Sequence, residues 1–255
     1  MSELLFIGTG AADWDINNKT EDFRRFSSAL LNGEMMLDCG PHIFDYATDF
    51  ACEDLYDGVA YILLSHTHGD HFKKESVLSL ANRQKICVLC DGHKKELIGE
   101  HENITYIELE PFVDVTVGGY TITPLLANHM MVIDGNHYAF HFIIKTPDGK
   151  TLFYGLDGAW FLCPSWARMC QETYDVMLFD ATVGDSDDWR LFEHNTVPML
   201  RMMLTGIKEK ELLKPEGKYV AAHLARTLHP SRGETEKVFA ECGMVTAYDG
   251  MKIEF

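Results

Sequence analysis

Positive charge is scarce in this 255-residue sequence: 22 Lys and Arg stand against 39 Asp and Glu, a formal net charge of −17. A field of that sign repels phosphate backbones and anionic membranes, and no Lys/Arg run exceeds two residues. Nucleic-acid and membrane partners are therefore not expected. Long apolar runs are missing as well; nothing approaches the ~18 uninterrupted apolar residues of a membrane span. Cysteine is sparse and unpatterned, with seven residues at 39, 52, 87, 90, 163, 170 and 242. An odd total without framework spacing speaks against a disulfide scaffold and for free thiols in a reducing cytoplasm. The opening Met-Ser-Glu-Leu-Leu-Phe-Ile-Gly-Thr-Gly lacks a basic n-region and a long apolar core, so no signal peptide is expected. Internal repeats, a low-complexity linker and a Gly-x-Ser-x-Gly nucleophile elbow are also absent. The expectation is a cytoplasmic globular protein.

A 46% hydrophobic and 24% charged composition suits a chain with a real core, and the length allows one large domain or two small ones. Short strand-like runs dominate the first half: Leu4–Ile7, Ser28–Leu31, Met35–Leu37, Val59–Leu64, Ile86–Leu89, Ile104–Leu109, Val113–Val117 and Tyr120–Leu126. Gly33-Glu34, Gly118-Gly119 and Pro147-Asp148-Gly149 read as hairpin turns, the last between Tyr138–Lys145 and Thr151–Tyr154. Strands return at Val176–Phe179, Lys218–Ala222 and Met251–Phe255. Helical patterns fall near Pro41–Phe50, Lys73–Ala81, Ser165–Gln171, Thr196–Glu211 and Arg232–Cys242, the last behind a Ser231…Glu234 capping box. Hairpins and helices interleaved over residues 1–255 predict a single α/β domain with sheets between helix layers.

The chemistry concentrates in Tyr61-Ile-Leu-Leu-Ser-His66-Thr-His68-Gly-Asp70-His71. An apolar strand runs into a polar cluster. Residues two apart in an extended segment point the same way, so His66 and His68 can grip one cation together. Gly69 permits a turn that swings Asp70 and His71 toward a second cation. Imidazole and carboxylate are ligands for zinc, manganese or iron. Four ligands do not complete two sites, and His129, Asp157 and His223 each stand just past a predicted strand, where they can converge.

His66-x-His68-x-Asp70-His71, followed by His129, Asp157 and His223, resembles the motif ladder of the metallo-β-lactamase superfamily. Phe6-Ile-Gly8-Thr-Gly10 and Asp249-Gly250-Met-Lys-Ile-Glu are similar to that family's first strand and last hairpin. The resemblance implies an αββα sandwich with two divalent metal ions, zinc or manganese, at its edge. It places His66, His68 and His129 on one metal, Asp70, His71 and His223 on the other, and Asp157 between them. Asp180-Ala-Thr, Glu193-His194-Asn195-Thr196 and His223-Leu-Ala-Arg-Thr resemble the phosphoribosyl cyclic phosphodiesterase branch, in which a histidine at the place of His194 assists at the phosphate. One branch member carries a cysteine-rich zinc loop near its N-terminus; residues 11–27 here contain no cysteine, so that loop is not expected. Phe72 after His71 also departs from relatives with a small or aliphatic residue there.

The activity expected is hydrolysis of a small cyclic phosphate or nucleotide-like diester by a hydroxide activated between two metals, with Asp70 and His194 as catalytic residues. Asn195 is a good N-cap before the helix near Thr196, which would stand His194 at a helix N-terminus where anions are attracted. Competing readings are thioester or lactone hydrolysis of the glyoxalase II or lactonase type, tRNA 3′-end processing, and a metal-bearing sensor without turnover. A homodimer is allowed but not specified. His42, His93 and His101 match no motif and read as surface residues. His137 and His141 share a strand face by spacing. Cys87 and Cys90 point to opposite faces of a strand and read as buried thiols. His229 is left between substrate contact and capping the next helix.

Overall fold

Successive side chains of an extended chain alternate between faces, and the first strand shows both faces covered. Leu4 and Phe6 enter one apolar cluster while Leu5 and Ile7 enter another. The same alternation recurs at Val176 and Leu178 against Met177 and Phe179. Such strands must lie between two layers. The computed structural model describes residues 1–129 and 137–255 and shows those layers.

One sheet contains β1 (Glu3–Gly8), β2 (Ser28–Leu31), β3 (Met35–Leu37), β4 (Tyr61–Leu63), β5 (Ile86–Cys90) and β6 (Ile104–Glu108). The other contains β7 (Val115–Val117), β8 (Tyr120–Leu126), β9 (Phe140–Lys145), β10 (Thr151–Gly155), β11 (Tyr174–Asp180), β12 (Leu213–Ala222) and β13 (Met244–Thr246). The final strand, β14 (Lys252–Glu254), crosses back to the first sheet and pairs antiparallel with β1. The orders are β14-β1-β2-β3-β4-β5-β6 and β13-β12-β11-β10-β9-β8-β7. A shared core between the sheets includes Phe6, Leu37, Leu63, Phe142, Tyr154 and Leu178. Outside the first sheet lie α1 (Ile43–Asp49), α2 (Lys74–Ala81) and α3 (Gly92–Ile98); outside the second lie α4 (Cys163–Met169), α5 (Val197–Glu209) and α6 (Arg232–Glu241). The architecture is the expected αββα sandwich. No helix among the described residues is long and apolar enough to cross a membrane.

All three predicted hairpin turns join antiparallel neighbours: β2–β3, β7–β8 and β9–β10. The closing hairpin does not form, because β13 pairs with β12 in one sheet and β14 with β1 in the other. Asp249 holds that crossing, accepting from Thr9 N–H at 3.0 Å, Thr9 Oγ1 at 2.9 Å and Arg25 N–H at 2.7 Å. The strand β13 and the helix α3 were not foreseen.

The topology decides where the chemistry goes. β3, β4 and β5 run parallel, as do β10, β11 and β12, so each set ends at one edge of its sheet. β8 is antiparallel to β9, and β9 to β10, so β8 ends at the same edge as β10. Loops beyond the carboxyl ends of parallel strands are where α/β folds build sites.

Candidate metal centre

Three residues that follow these strands take left-handed backbone conformations: Asp38 (φ 60°), Asp157 (φ 56°) and His223 (φ 58°). Non-glycine residues pay for that region, and they persist there where surrounding structure demands a particular side-chain direction. All three side chains turn inward and are buried.

The seven predicted ligands come together. His66, His68, His129 and Asp157 form one group, and Asp70, His71, Asp157 and His223 form a second; within each, the donor atoms lie within 4.8 Å of one another. Asp157 belongs to both. Its Oδ2 is 3.5 Å from His66 Nε2 and from His129 Nε2, while its Oδ1 is 2.9 Å from His71 Nε2 and 3.0 Å from His223 Nε2. His68 Nδ1 meets His129 Nε2 at 2.9 Å, and Asp70 Oδ2 lies 3.2 Å from His223 Nε2. The loop turns between the two groups with His71 N–H donating to His68 O, and Gly69 needs no positive φ to do so.

Outer partners fix which ring nitrogen faces the centre. His71 Nδ1 pairs with Asp38 Oδ2 at 2.8 Å, His66 Nδ1 with Ser65 Oγ at 2.9 Å, and His223 Nδ1 with Thr182 Oγ1 at 2.7 Å. His129 Nδ1 reaches the Glu193 carbonyl at 3.3 Å. Each Nδ1–H is thereby used as a donor, so that Nε2 is the nitrogen turned inward, as metal-ligating histidines are held. Asp38 itself accepts from Ser65 N–H, Ser65 Oγ and Tyr154 OH. Sequence reasoning missed it: a lone aspartate after a short strand carries no pattern, and its partners lie far along the chain.

The donor set fits divalent cations. His66 Nε2, His71 Nε2 and Asp157 Oδ1 are buried and, although the last two lie 2.9 Å apart, none is aligned for a hydrogen bond among the described residues. Buried polar atoms left that way are costly, and a cation between them removes the cost. Burial drives the pKa of His66 well down and that of His129 to about 4, which makes both neutral donors at pH 7. Burial lowers His71 and His223 too, but Asp157 and Asp70 outweigh it, raising His71 well above the ordinary value and His223 to about 10. Burial opposes the ionised forms of Asp70 and Asp157, yet the same two histidines hold both carboxyls below the usual range.

His194 also faces the centre. Its ring stacks on His223 at 5.5 Å between centroids and meets His129 edge-on at 5.0 Å. Nδ1 is held by Asp180 Oδ2 at 2.6 Å. Burial lowers the His194 pKa, but the Asp180 carboxylate more than offsets it, and the net shift is upward. The helix-terminus reading is corrected. Thr196, not Asn195, caps α5, accepting from Met199 N–H at 3.3 Å, and Val197 N–H is spent on Gly184 O. Asn195 instead ties the strap that carries His194, residues 181–196 between β11 and α5, to the site: it accepts from Trp160 N–H and donates to Gly158 O and Asp180 O. A cleft of about 240 Å³ opens onto these residues, and Asp13, Arg190 and Glu193 complete its walls. Arg190 carried no sequence signal; its guanidinium is gripped by both oxygens of Asp188.

Other histidine readings change as well. His42 is buried and stacks on Phe26, so it is not a surface residue. His93 and His101 are half-buried. His137 lies before β9, bonded to Thr67 Oγ1 at 2.9 Å and stacked on His93; His141, inside β9, is 3.3 Å from Asp157 O. They share no strand face. Cys87 and Cys90 do occupy opposite faces, but only Cys90 is fully buried. His229 donates from Nε2 to Ala181 O at 2.8 Å and is not among the residues lining the metal cleft; Ser231, not His229, stands at the N-cap of α6.

A family model described as a β-lactamase superfamily domain matches residues 34–232. No curated protein matches the sequence. Among solved structures, the chain is similar to the metallo-β-lactamase fold protein YhfI from Bacillus subtilis, at 16% identity and TM-score 0.73 over 100% of this chain and 99% of that one. It is similar to zinc-bound PqqB from Methylobacterium extorquens, at 14% identity and TM-score 0.76 over 99% and 100%. It is also similar to a diphosphatase from the PhnP family, at 17% identity and TM-score 0.72 over 100% and 97%.

Proposed function

The chain belongs to the β-lactamase superfamily, and from that premise we propose that it is a cytoplasmic metal-dependent phosphodiesterase acting on a small cyclic phosphate or nucleotide-like diester. The observation that carries the reading is the Asp180–His194 pair placed against the metal-ligand histidines. An acyl hydrolase of the thioester or lactone type would use the same donor set but has no evident need for that pair.

His66, His68 and His129 with Asp157 would hold one divalent cation, zinc or manganese, and Asp70, His71 and His223 with Asp157 the other. Bound there, the cations supply an acidified water and charge neutralisation for phosphate oxygens. The chain's residues do the rest. Asp180 holds His194 by Nδ1 and stabilises its imidazolium, leaving Nε2 to give a proton to the departing oxygen. Thr182 bonds both His194 Nδ1, at 3.2 Å, and His223 Nδ1, so the proton donor and a metal ligand share one anchor. The 240 Å³ cleft admits a small ester.

Turnover of bis(p-nitrophenyl) phosphate measured beside a thioester and a lactone, with metal content on the same batch, tests the class. His194→Ala should keep its metals and lose roughly 10²–10⁴-fold in kcat on a diester with a poor leaving group. The loss should shrink for p-nitrophenolate, which leaves without a proton. Wild-type rates on both esters would sink the assignment of His194, and turnover of the thioester alone would sink the phosphodiesterase.

A further inference from the structure

Arg24 and Arg25 are adjacent in the chain and opposite in circumstance. Arg25 pairs with two carboxylates, those of Asp49 and Asp249. Arg24 makes no direct ion pair among the described residues; the Asp249 carboxylate acts on it only at longer range, against a strong desolvation by burial. It is only 6% exposed, and its one bonded nitrogen, Nη1, donates to neutral acceptors, Thr9 Oγ1 at 2.7 Å and Ala247 O at 2.5 Å. The hydrogen bonds of its guanidinium among the described residues are these two, both from Nη1. A buried guanidinium is normally matched by an anion, because desolvation without a partner is costly.

An anion in direct contact with Arg24 has a place to sit. Arg24 lines a cavity of about 420 Å³ that shares no lining residue with the metal cleft. Trp14, Arg226, His229 and Arg232 also face it. Gly10 makes the wall possible, since a Cβ there would strike the Trp14 ring and Arg24 Cβ. Arg226 is held by Asp13 through its N–H and Nε, and Arg232 by Glu236 through Nε with its guanidinium over the Tyr248 ring; among the described residues no hydrogen bond engages the terminal nitrogens of either. Asp15 and Asp22 lie at the same cavity and limit how much negative charge it accepts. The two cavities are neighbours: Asp13 lines the metal cleft and Trp14 this one, as His223 does and Leu224.

We propose that this cavity is a second, metal-independent site for a small oxyanion of the phosphate type, with Arg24 as its buried counter-charge and Arg232 as its outer contact. The planar Trp14 face would take whatever organic group the oxyanion carries.

Titration of the metal-loaded enzyme with inorganic phosphate, read by tryptophan fluorescence, tests the site, with phosphate inhibition of turnover reporting the metal cleft separately. A saturable change below about 10 mM phosphate is expected, and it should vanish in Trp14→Phe. Arg24→Met should weaken it about 10–100-fold and Arg232→Ala several-fold, with the inhibition constant at the metal cleft unmoved. Sulfate should compete. A response that survives Trp14→Phe, or that has wild-type affinity in Arg24→Met, overturns the proposal. If Arg24→Met fails to fold, Arg232→Ala decides: unchanged phosphate affinity there overturns it, and weakened affinity supports it.

Discussion

Asp38 shows how a residue that touches no substrate can govern a metal site. It accepts from His71 Nδ1, receives three further hydrogen bonds from Ser65 and Tyr154, and is held at positive φ to do so. Asp38→Asn keeps the shape but loses the charge that fixes the His71 tautomer. Affinity for the cation at Asp70, His71 and His223 should fall about 10–100-fold while circular dichroism is unchanged. Wild-type metal retention against a chelator series would show that Asp38 is only packing. A second consequence concerns protons. His71 and His223 have raised pKa values, His223 to about 10, so they carry protons at neutral pH that a cation must displace. A raised pKa means the protonated, metal-excluding form persists until pH climbs through that value. Cation affinity should therefore rise with pH, by up to about tenfold per unit for each proton released. Calorimetry in two buffers of different ionisation enthalpy measures that release, and affinity flat between about pH 6 and 8 would contradict it.

At the scale of elements, α5 is the helix on which the His194 strap ends. Thr196 caps it, Pro198 sits in its first turn, and Val197, Leu200, Leu204 and Ile207 form the apolar stripe it lays on the second sheet. Thr196→Ala should cost about 1 kcal/mol and lower the melting temperature by about 2–4 °C, with Thr196→Ser restoring it; an unmoved melting point would mean that the cap carries no stability. Elements whose signal is local were readable in advance. The three hairpins followed from their turn residues, and β3 and β5 from unbroken apolar runs between polar boundaries. α3 was not, because Gly-His-Lys-Lys-Glu-Leu-Ile has little apolar periodicity; Asp91 starts it by capping Lys94 N–H and binding Lys94 Nζ. Ser231 misled in the other direction. It does precede α6, but its hydroxyl donates to Glu234 Oε2 at 2.7 Å and caps no backbone N–H. The residues of the candidate donor cluster were readable because their spacing is dictated by strand ends, whereas Asp38 and Arg190 act through contacts only the folded chain creates. Asp180 and Asn195 could be picked out by resemblance, but not the bonds that make them useful.

For the whole molecule, the −17 charge has to be weighed against what the cleft shows locally. Arg190 is the cleft's one arginine among its described lining residues, and Asp188 already grips it. Asp13, Asp70, Asp157 and Glu193 line the same cleft. Divalent cations in the donor set would offset a few of those charges, enough for one phosphate group and not for a polymer with a charge at every nucleotide. Outside the cleft, bases such as Lys19, Lys145 and Lys252 are paired with Asp49, Glu172 and Glu3, so they form no continuous positive track. Polymer binding depends on many phosphate contacts made together, each releasing a counterion. The protein should therefore bind duplex DNA or a precursor tRNA no more tightly than the non-specific level of ~10⁻⁴ M, even at low salt. Fluorescence anisotropy with a labelled tRNA measures this directly. Micromolar binding at moderate salt, or cleavage of the precursor at its 3′ end, would replace the small-diester reading with that of a processing nuclease.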